Sequence, residues 1–421
     1  MIGKFIQRIL DTGLFNLKNI FSFTIIRLLN IFFPLITYKH VLSKVGLNEF
    51  GLFASVNAVI IFYAIFTNYG FELTGPIEIS FQKSRNDSLL INKVASQILS
   101  IKSAITFFAF LSIFPIAYYL EFNVALIVFA FQQIIYETFS LNFLFQGLNQ
   151  LNILIKVNLI SRFISTLLCV YFINDSTDII MYPLYLGIGN AVALAFSYFI
   201  AFRRLNFCFV KFSKDELQIF FAKSSKLYLG NLLGKLYQNG TRFFFSLFLG
   251  PIAAACYDVA DKLLNLVSVP LAIINDSILS KAGSALFAFE KKNKSILILF
   301  IFSLSLVLPL VLTGDFFIGL FQKSEIYITK EILVILSISI LFGTISNYIK
   351  IFHFVNLGKL KFINAYIFFG ALFYFSLVFL FKLIGVYNHF SGVVVFLLSE
   401  ILICGMFFYR YYRDSISEKI A

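Results

Sequence analysis

The 421-residue chain contains no tryptophan, only seven prolines, four cysteines and three histidines, and just 13% of its residues are charged. Each scarcity excludes something. Cys169, Cys208, Cys256 and Cys404 form no CxxC pair, and His40, His353 and His389 are scattered. A disulfide framework or a metal site therefore has no support. Soluble globular domains carry about 25% charged residues, so this composition is not that of a soluble domain. Short alternating apolar segments, the mark of a transmembrane β-barrel, are absent. The stretch GNLLG at 230–234 precedes Lys235 and imitates a phosphate-binding loop. It is one residue short, and Leu236 stands where Ser or Thr is required. ATP binding is rejected, no cofactor is expected, and the small-residue spacing reads as a helix-packing face.

What is present is apolar length. Hydrophobic residues make up 60% of the chain, and the mean hydropathy is +0.89. Apolar runs of roughly 20 residues recur from end to end, the length needed to cross a bilayer as helix. The chain reads as an all-α polytopic membrane protein with about twelve spans, at 20–42, 50–70, 96–120, 122–146, 150–173, 180–202, 226–249, 252–279, 295–313, 331–351, 362–384 and 390–411. Residues 1–19 place Ile2, Phe5, Ile6, Ile9 and Leu10 opposite Lys4 and Arg8, an interfacial amphipathic helix. A basic linker at 203–225 divides an N-terminal six-helix lobe, 20–202, from a C-terminal one, 226–421, with a short tail. Lys and Arg gather on the side of both termini, which are therefore expected in the cytoplasm. The net charge of +13 is mostly this topological bias, facing lipid headgroups and not nucleic acid. Tyr118, Tyr119, Tyr182, Tyr409, Tyr411 and Tyr412 serve as interfacial anchors.

The most informative residues are charges inside spans: Arg27, Glu137, Lys156, Arg162, Lys235, Arg242, Asp258, Asp261 and Lys262. Each costs about 2.5–3.5 kcal/mol at the bilayer centre if it faces lipid. Helical spacing groups them into polar stripes: Asn231, Lys235, Gln238 and Arg242; Arg27, Asn30 and Tyr38; Gln133, Glu137 and Ser140; Asp258, Asp261, Asn265 and Ser268. One polar side per helix predicts a central hydrated cavity. Blander readings exist for some: Asp258 and Lys262 neutralise each other at i, i+4, Glu137 bridges Arg162, and Lys102, Lys156 and Lys382 snorkel to the interface. Arg27, Lys235 and Arg242 have no partner within their own helices and default to a functional role.

An internal echo is visible. Gly46 is followed by Phe53 seven residues later, and Gly250 by Tyr257 at the same offset, as in transporters built from repeats. Residues 45–87 carry Gly46, Phe50-Gly51, the turn Asn68-Tyr69-Gly70-Phe71 and the basic loop Lys83 to Arg85; LGPIAAACYDVADKLLN adds Gly250, Tyr257, Ala260 and Asp261. In these the sequence resembles polysaccharide repeat-unit flippases of the Wzx type, which share a superfamily with MATE multidrug exporters and lipid II flippases. Asn68 departs from the Asp of many members. The resemblance implies two lobes around a central cavity and translocation of an undecaprenyl-diphosphate-linked oligosaccharide, O antigen, between leaflets of the bacterial inner membrane, without enzymatic activity. It also implies membrane lipids as partners, together with a polysaccharide polymerase and a chain-length regulator. Arg27, Lys235, Arg242 and Arg162 become candidates for a cationic lumen that binds the diphosphate through charge-assisted hydrogen bonds; Glu137, Asp258 and Asp261 become candidates for ion coupling. The competing readings are a drug or ion antiporter of the same superfamily and a membrane-embedded polymerase. The polymerase is disfavoured because the longest outer loop, 314–330, is too small for a catalytic domain.

Overall fold

The computed structural model describes residues 17–420, apart from 86, 282–291, 356 and 358. The expected amphipathic helix at 1–19 thus lies almost wholly outside the described residues. Helices account for nearly all of the rest, with no strand among the described residues. In chain order they are α1 (Leu17–Val45), α2 (Leu47–Asn68), α3 (Phe71–Ser84), α4 (Ser88–Tyr119), α5 (Val124–Ala130), α6 (Gln132–Phe139), α7 (Asn142–Gly147), α8 (Leu151–Phe172), α9 (Tyr182–Arg204), α10 (Lys214–Leu249), α11 (Pro251–Lys281), α12 (Lys292–Leu312), α13 (Gly314–Gly319), α14 (Ile326–Ile349), α15 (Leu360–Leu383) and α16 (His389–Ile420).

Eight helical segments among the described residues are long and apolar enough to cross a membrane, and Ile296–Leu312 is a shorter apolar helix. Helices α1, α10 and α11 run for 29, 36 and 31 residues. At 1.5 Å per residue, each exceeds the ~30 Å hydrocarbon core.

Two segments differ from simple spans. The fourth expected span is three short helices, α5 to α7, interrupted at Phe131 and again at Ser140, whose extended backbone (ψ 128°) stops α6. The second ends in a left-handed turn, with Tyr69 at φ 43° and Gly70 at φ 70°, and α3 restarts directly after it. A left-handed tyrosine is strained; its ring stacks on Phe221 at 4.6 Å and its hydroxyl lies 2.6 Å from Ser225 Oγ.

The linker is shorter than the basic composition implies. Ser213 and Glu216 form a capping box that starts α10 at Lys214, well before the expected span. The residues before it dock on α4, where Asn92 Nδ2 donates to the Asn206 carbonyl at 3.1 Å and the Val210 N–H donates to Ser96 Oγ at 3.0 Å, and Glu216 in the first turn of α10 pairs with Lys93 at 2.5 Å.

Packing explains the internal echo. Gly46 and Gly250 adopt nearly the same backbone, φ 82°, ψ 167° and φ 87°, ψ −175°. This region is open essentially to glycine alone, and each residue turns one helix into the next. The paired helices that follow then meet. A Cβ on Gly51 would lie 2.4 Å from the Pro251 carbonyl oxygen, so α2 and α11 approach backbone to backbone. Phe62 of α2 stacks on Phe243 of α10 at 4.4 Å. One apolar cluster, including Phe50, Ile60, Ile134, Tyr182, Ala254, Val259, Leu333 and Val393, joins the early and late helices. A second, around Phe71, Ile98 and Phe145, lies mainly among α3, α4 and α7–α9. A third, around Tyr374, Phe354 and Phe407, holds α10, α12 and α14–α16.

Candidate functional site

Helices α10 and α11 follow each other through Gly250, so their polar stripes face one another. Arg242 on α10 lies 2.7 Å by Nε from Asp258 Oδ1 and 2.6 Å by Nη2 from Asp261 Oδ2, both on α11. The first contact is a charge pair, off the hydrogen-bond direction; the second is a hydrogen bond. Tyr38 of α1 donates to Asp258 Oδ2 at 3.0 Å, and Asn265 Nδ2 donates to Asp261 Oδ2 at 3.0 Å. Asp258 is fully buried and the Asp261 side chain is 26% exposed. Lys262 sits 5.1 Å above the Tyr38 ring. Beside this cluster is a cavity of about 330 Å³, lined by Gln238, Asn239, Arg242, Tyr257, Asp261, Lys262 and Asn265.

Arg242 is therefore not an isolated cation: the partners missing from its own helix are supplied by the next one. Asp258 is held by Arg242 and Tyr38, so the expected pairing with Lys262 gives way. Lys262 has no carboxylate in an ion pair among the described residues; the charges of Arg242, Asp258 and Asp261 act on it, and that of Arg162 on α8 more weakly. Arg162 donates to Asn30 Oδ1 at 3.4 Å. It does not bridge Glu137, whose Oε2 accepts from Asn68 Nδ2 at 3.1 Å. Asn68 suits that place physically, since an aspartate would set two carboxylates together. A chain of neutral groups continues from Arg162's helix: Ser161 Oγ donates to Asn190 Oδ1, and Asn190 Nδ2 to Gln132 Oε1, each at 3.0 Å.

Lys235 also has a partner, Glu72 Oε2 of α3 at 2.5 Å. The pair spans early and late helices, and its side chains are 29% and 47% exposed. Lys102 does not snorkel; it is buried and donates to the Glu137 backbone carbonyl. Arg27 lies on α1, and its side chain, like that of Asn231, is outside the described residues. Lys156 lies on α8, and Lys382 stands 4.8 Å over the Phe248 ring.

Some of this was hidden in the sequence. Glu72 lies just beyond the second expected span, outside the set of charges within spans. Glu400 on α16, which accepts from the Tyr237 hydroxyl at 2.9 Å, was a lone acid in an apolar run and was readable as such. Among the described residues, no group of His, Cys, Asp and Glu is arranged to hold a metal ion.

A bundle of long apolar helices around an ion-paired cavity of about 330 Å³ is the architecture of a multi-pass membrane protein. The sequence pattern of the polysaccharide biosynthesis protein family matches residues 16–279, and the chain belongs to that family. It is 22% identical over 277 residues to the "Putative O-antigen transporter" of Escherichia coli (strain K12); the aligned part covers 64% of this chain and 65% of that protein. In fold, it resembles an inward-facing multidrug resistance MATE family transporter of the MOP superfamily, with 14% identity, TM-score 0.73, and coverage of 93% of this chain and 96% of that one. It also resembles the lipid II flippase MurJ in an inward closed conformation, with 16% identity, TM-score 0.68, and coverage of 91% and 87%.

Proposed function

We propose that this chain is a flippase. It carries an undecaprenyl-diphosphate-linked oligosaccharide, an O-antigen unit, from the cytoplasmic to the periplasmic leaflet of the bacterial inner membrane. The observation that carries this reading is the polar cavity between α10 and α11, set in an apolar bundle of the polysaccharide biosynthesis family. A glycan and a diphosphate cannot cross hydrocarbon unaided, because burying unpaired polar and charged groups is costly. A cavity of fixed amides, carboxylates and cations replaces their water.

Two lobes, 20–202 and 226–421, rock about the Gly51–Pro251 contact, and twelve spans leave both termini in the cytoplasm. The diphosphate is held by cations of the central face. Arg162 and Lys262, which form no ion pair among the described residues, lead; Arg27 is a further candidate, Lys235 contributes when Glu72 shifts between states, and Arg242 stays with Asp258 and Asp261. Glu137, Asp258 and Asp261 are the groups available for ion coupling. The lipid tail stays in the bilayer beside a lateral opening. A drug exporter of this fold would offer free carboxylates to cationic cargo; here Arg242 occupies both Asp258 and Asp261.

The test is glycan profiling in a strain lacking the gene, beside labelled lipid-linked intermediates. Loss of the surface glycan, with the diphosphate-linked unit accumulating on the cytoplasmic leaflet, is the expected result. A single unpolymerised unit still reaching the surface would point to a polymerase, and an unchanged glycan to an exporter of other cargo.

A further inference from the structure

We infer that the cavity face formed by Arg242, Asp261, Asn265, Gln238 and Asn239 is a saccharide subsite, which takes neutral sugar hydroxyls and leaves the diphosphate to Lys262 and Arg162. The inference rests on the flippase reading and refines it.

Charge decides the assignment. Arg242 is neutralised by two carboxylates within 2.7 Å. A diphosphate reaching Arg242 would sit against Asp258 and Asp261 at a few ångströms, where like charges repel by about 4 kcal/mol at an effective dielectric of 20. Sugar hydroxyls meet no such penalty, because each is both donor and acceptor.

Geometry agrees. Both polar contacts of Asp261 use Oδ2, from Arg242 and Asn265, so Oδ1 is available to a hydroxyl. Asn239 Nδ2 donates to the Lys235 carbonyl at 2.9 Å, which fixes the amide and turns its oxygen into an acceptor of known orientation. Gln238 is exposed at the cavity. Planar carboxylate, amide and guanidinium groups offer paired donors and acceptors, which match vicinal hydroxyls. The Tyr257 ring, 6.0 Å from the Arg242 guanidinium, gives an apolar wall. At about 330 Å³ the cavity is far larger than a single water requires. Lys262 lines the same cavity on the side facing Tyr38, and Arg162, outside the cavity lining, donates to Asn30 of the helix that carries Tyr38. The boundary between sugar and diphosphate therefore falls between Asp261 and Lys262, adjacent residues on α11.

The experiment is equilibrium binding to the purified full chain in detergent with two probes: undecaprenyl diphosphate, and the lipid-linked oligosaccharide extracted from cells lacking the gene. Asn265→Ala and Gln238→Ala are mild substitutions and are expected to fold. Each lost neutral hydrogen bond weakens the glycosylated probe about three- to tenfold and leaves undecaprenyl diphosphate unchanged. Lys262→Met weakens both probes. Equal weakening of both probes by Asn265→Ala and Gln238→Ala would overturn the subsite. No weakening of the glycosylated probe by either would overturn it as well. If the wild type binds neither probe, the flippase reading itself fails, and the subsite falls with it.

Discussion

Arg242→Met is the perturbation with the largest consequence for stability. The guanidinium is the principal counter-charge of Asp258, whose side chain is 1% exposed. Without it, that carboxylate retains the Tyr38 hydroxyl bond at 3.0 Å and little else. Removing one member of a buried ion pair costs about 3–5 kcal/mol, chiefly through the uncompensated charge left behind. Asp261 loses the same partner, but its side chain is 26% exposed and hydrates. Neutralising Asp258 as well should restore most of the loss, because replacing both members of a buried pair by neutral groups is often nearly neutral. Arg242→Met with Asp258→Asn is therefore expected within about 1–2 kcal/mol of wild type, and the cycle to show a coupling of about 2–3 kcal/mol. The assay is reversible unfolding in mixed micelles by titration with a denaturing detergent. Helical circular dichroism is the readout, since the chain has no tryptophan. A double variant as unstable as Arg242→Met alone would refute the argument.

Other predictions follow from separate contacts. Lys235→Ala should change stability by less than about 1 kcal/mol, because the Lys235–Glu72 pair is largely solvated; transport should fall and return in the Lys235→Glu, Glu72→Lys swap. Gly51→Ala should destabilise by about 1–3 kcal/mol, measured in the same titration, because the added methyl meets the immovable Pro251 backbone at 2.4 Å. Hydrogen bonds from Lys93 and from the Ser213 backbone hold the Glu216 carboxyl below its ordinary value of 4.5. Its contribution to linker docking is therefore full above that value and is lost as pH falls through the lower folded value. Protease cleavage in the linker should rise in acid, and Glu216→Gln should remove that rise. Cys208 is exposed while Cys169, Cys256 and Cys404 are buried, so a membrane-impermeant maleimide should modify one cysteine, and only from the cytoplasmic side.

The fold was legible because its causes are local. Runs of apolar residues set the helices, and glycines such as Gly46 and Gly250 marked their turns. The breaks were less visible. The stop at Ser140 depends on backbone geometry that no strong signal announces. The early start of α10 was announced, by Ser213 and Glu216, but a basic composition masked it. For the candidate site, spacing put Arg242, Asp258, Asp261 and Asn265 on polar stripes. It could not tell which stripes face each other, because that depends on how α10 and α11 pack after Gly250. A cation without a partner in its own helix, as Arg242 is, therefore read as free. Lys262 read as paired with Asp258 for the mirror-image reason. Lys102 read as interfacial from its position along α4, whereas its neighbour, the Glu137 carbonyl, is distant in sequence.

The most direct measurement is translocation by the purified chain in proteoliposomes loaded with the labelled lipid-linked oligosaccharide, scored by its access to an enzyme added outside. Transfer between leaflets that depends on the protein, and that falls with Lys262→Met, is the predicted result. Protein-free and protein-containing vesicles transferring the lipid at the same rate would contradict the flippase proposal.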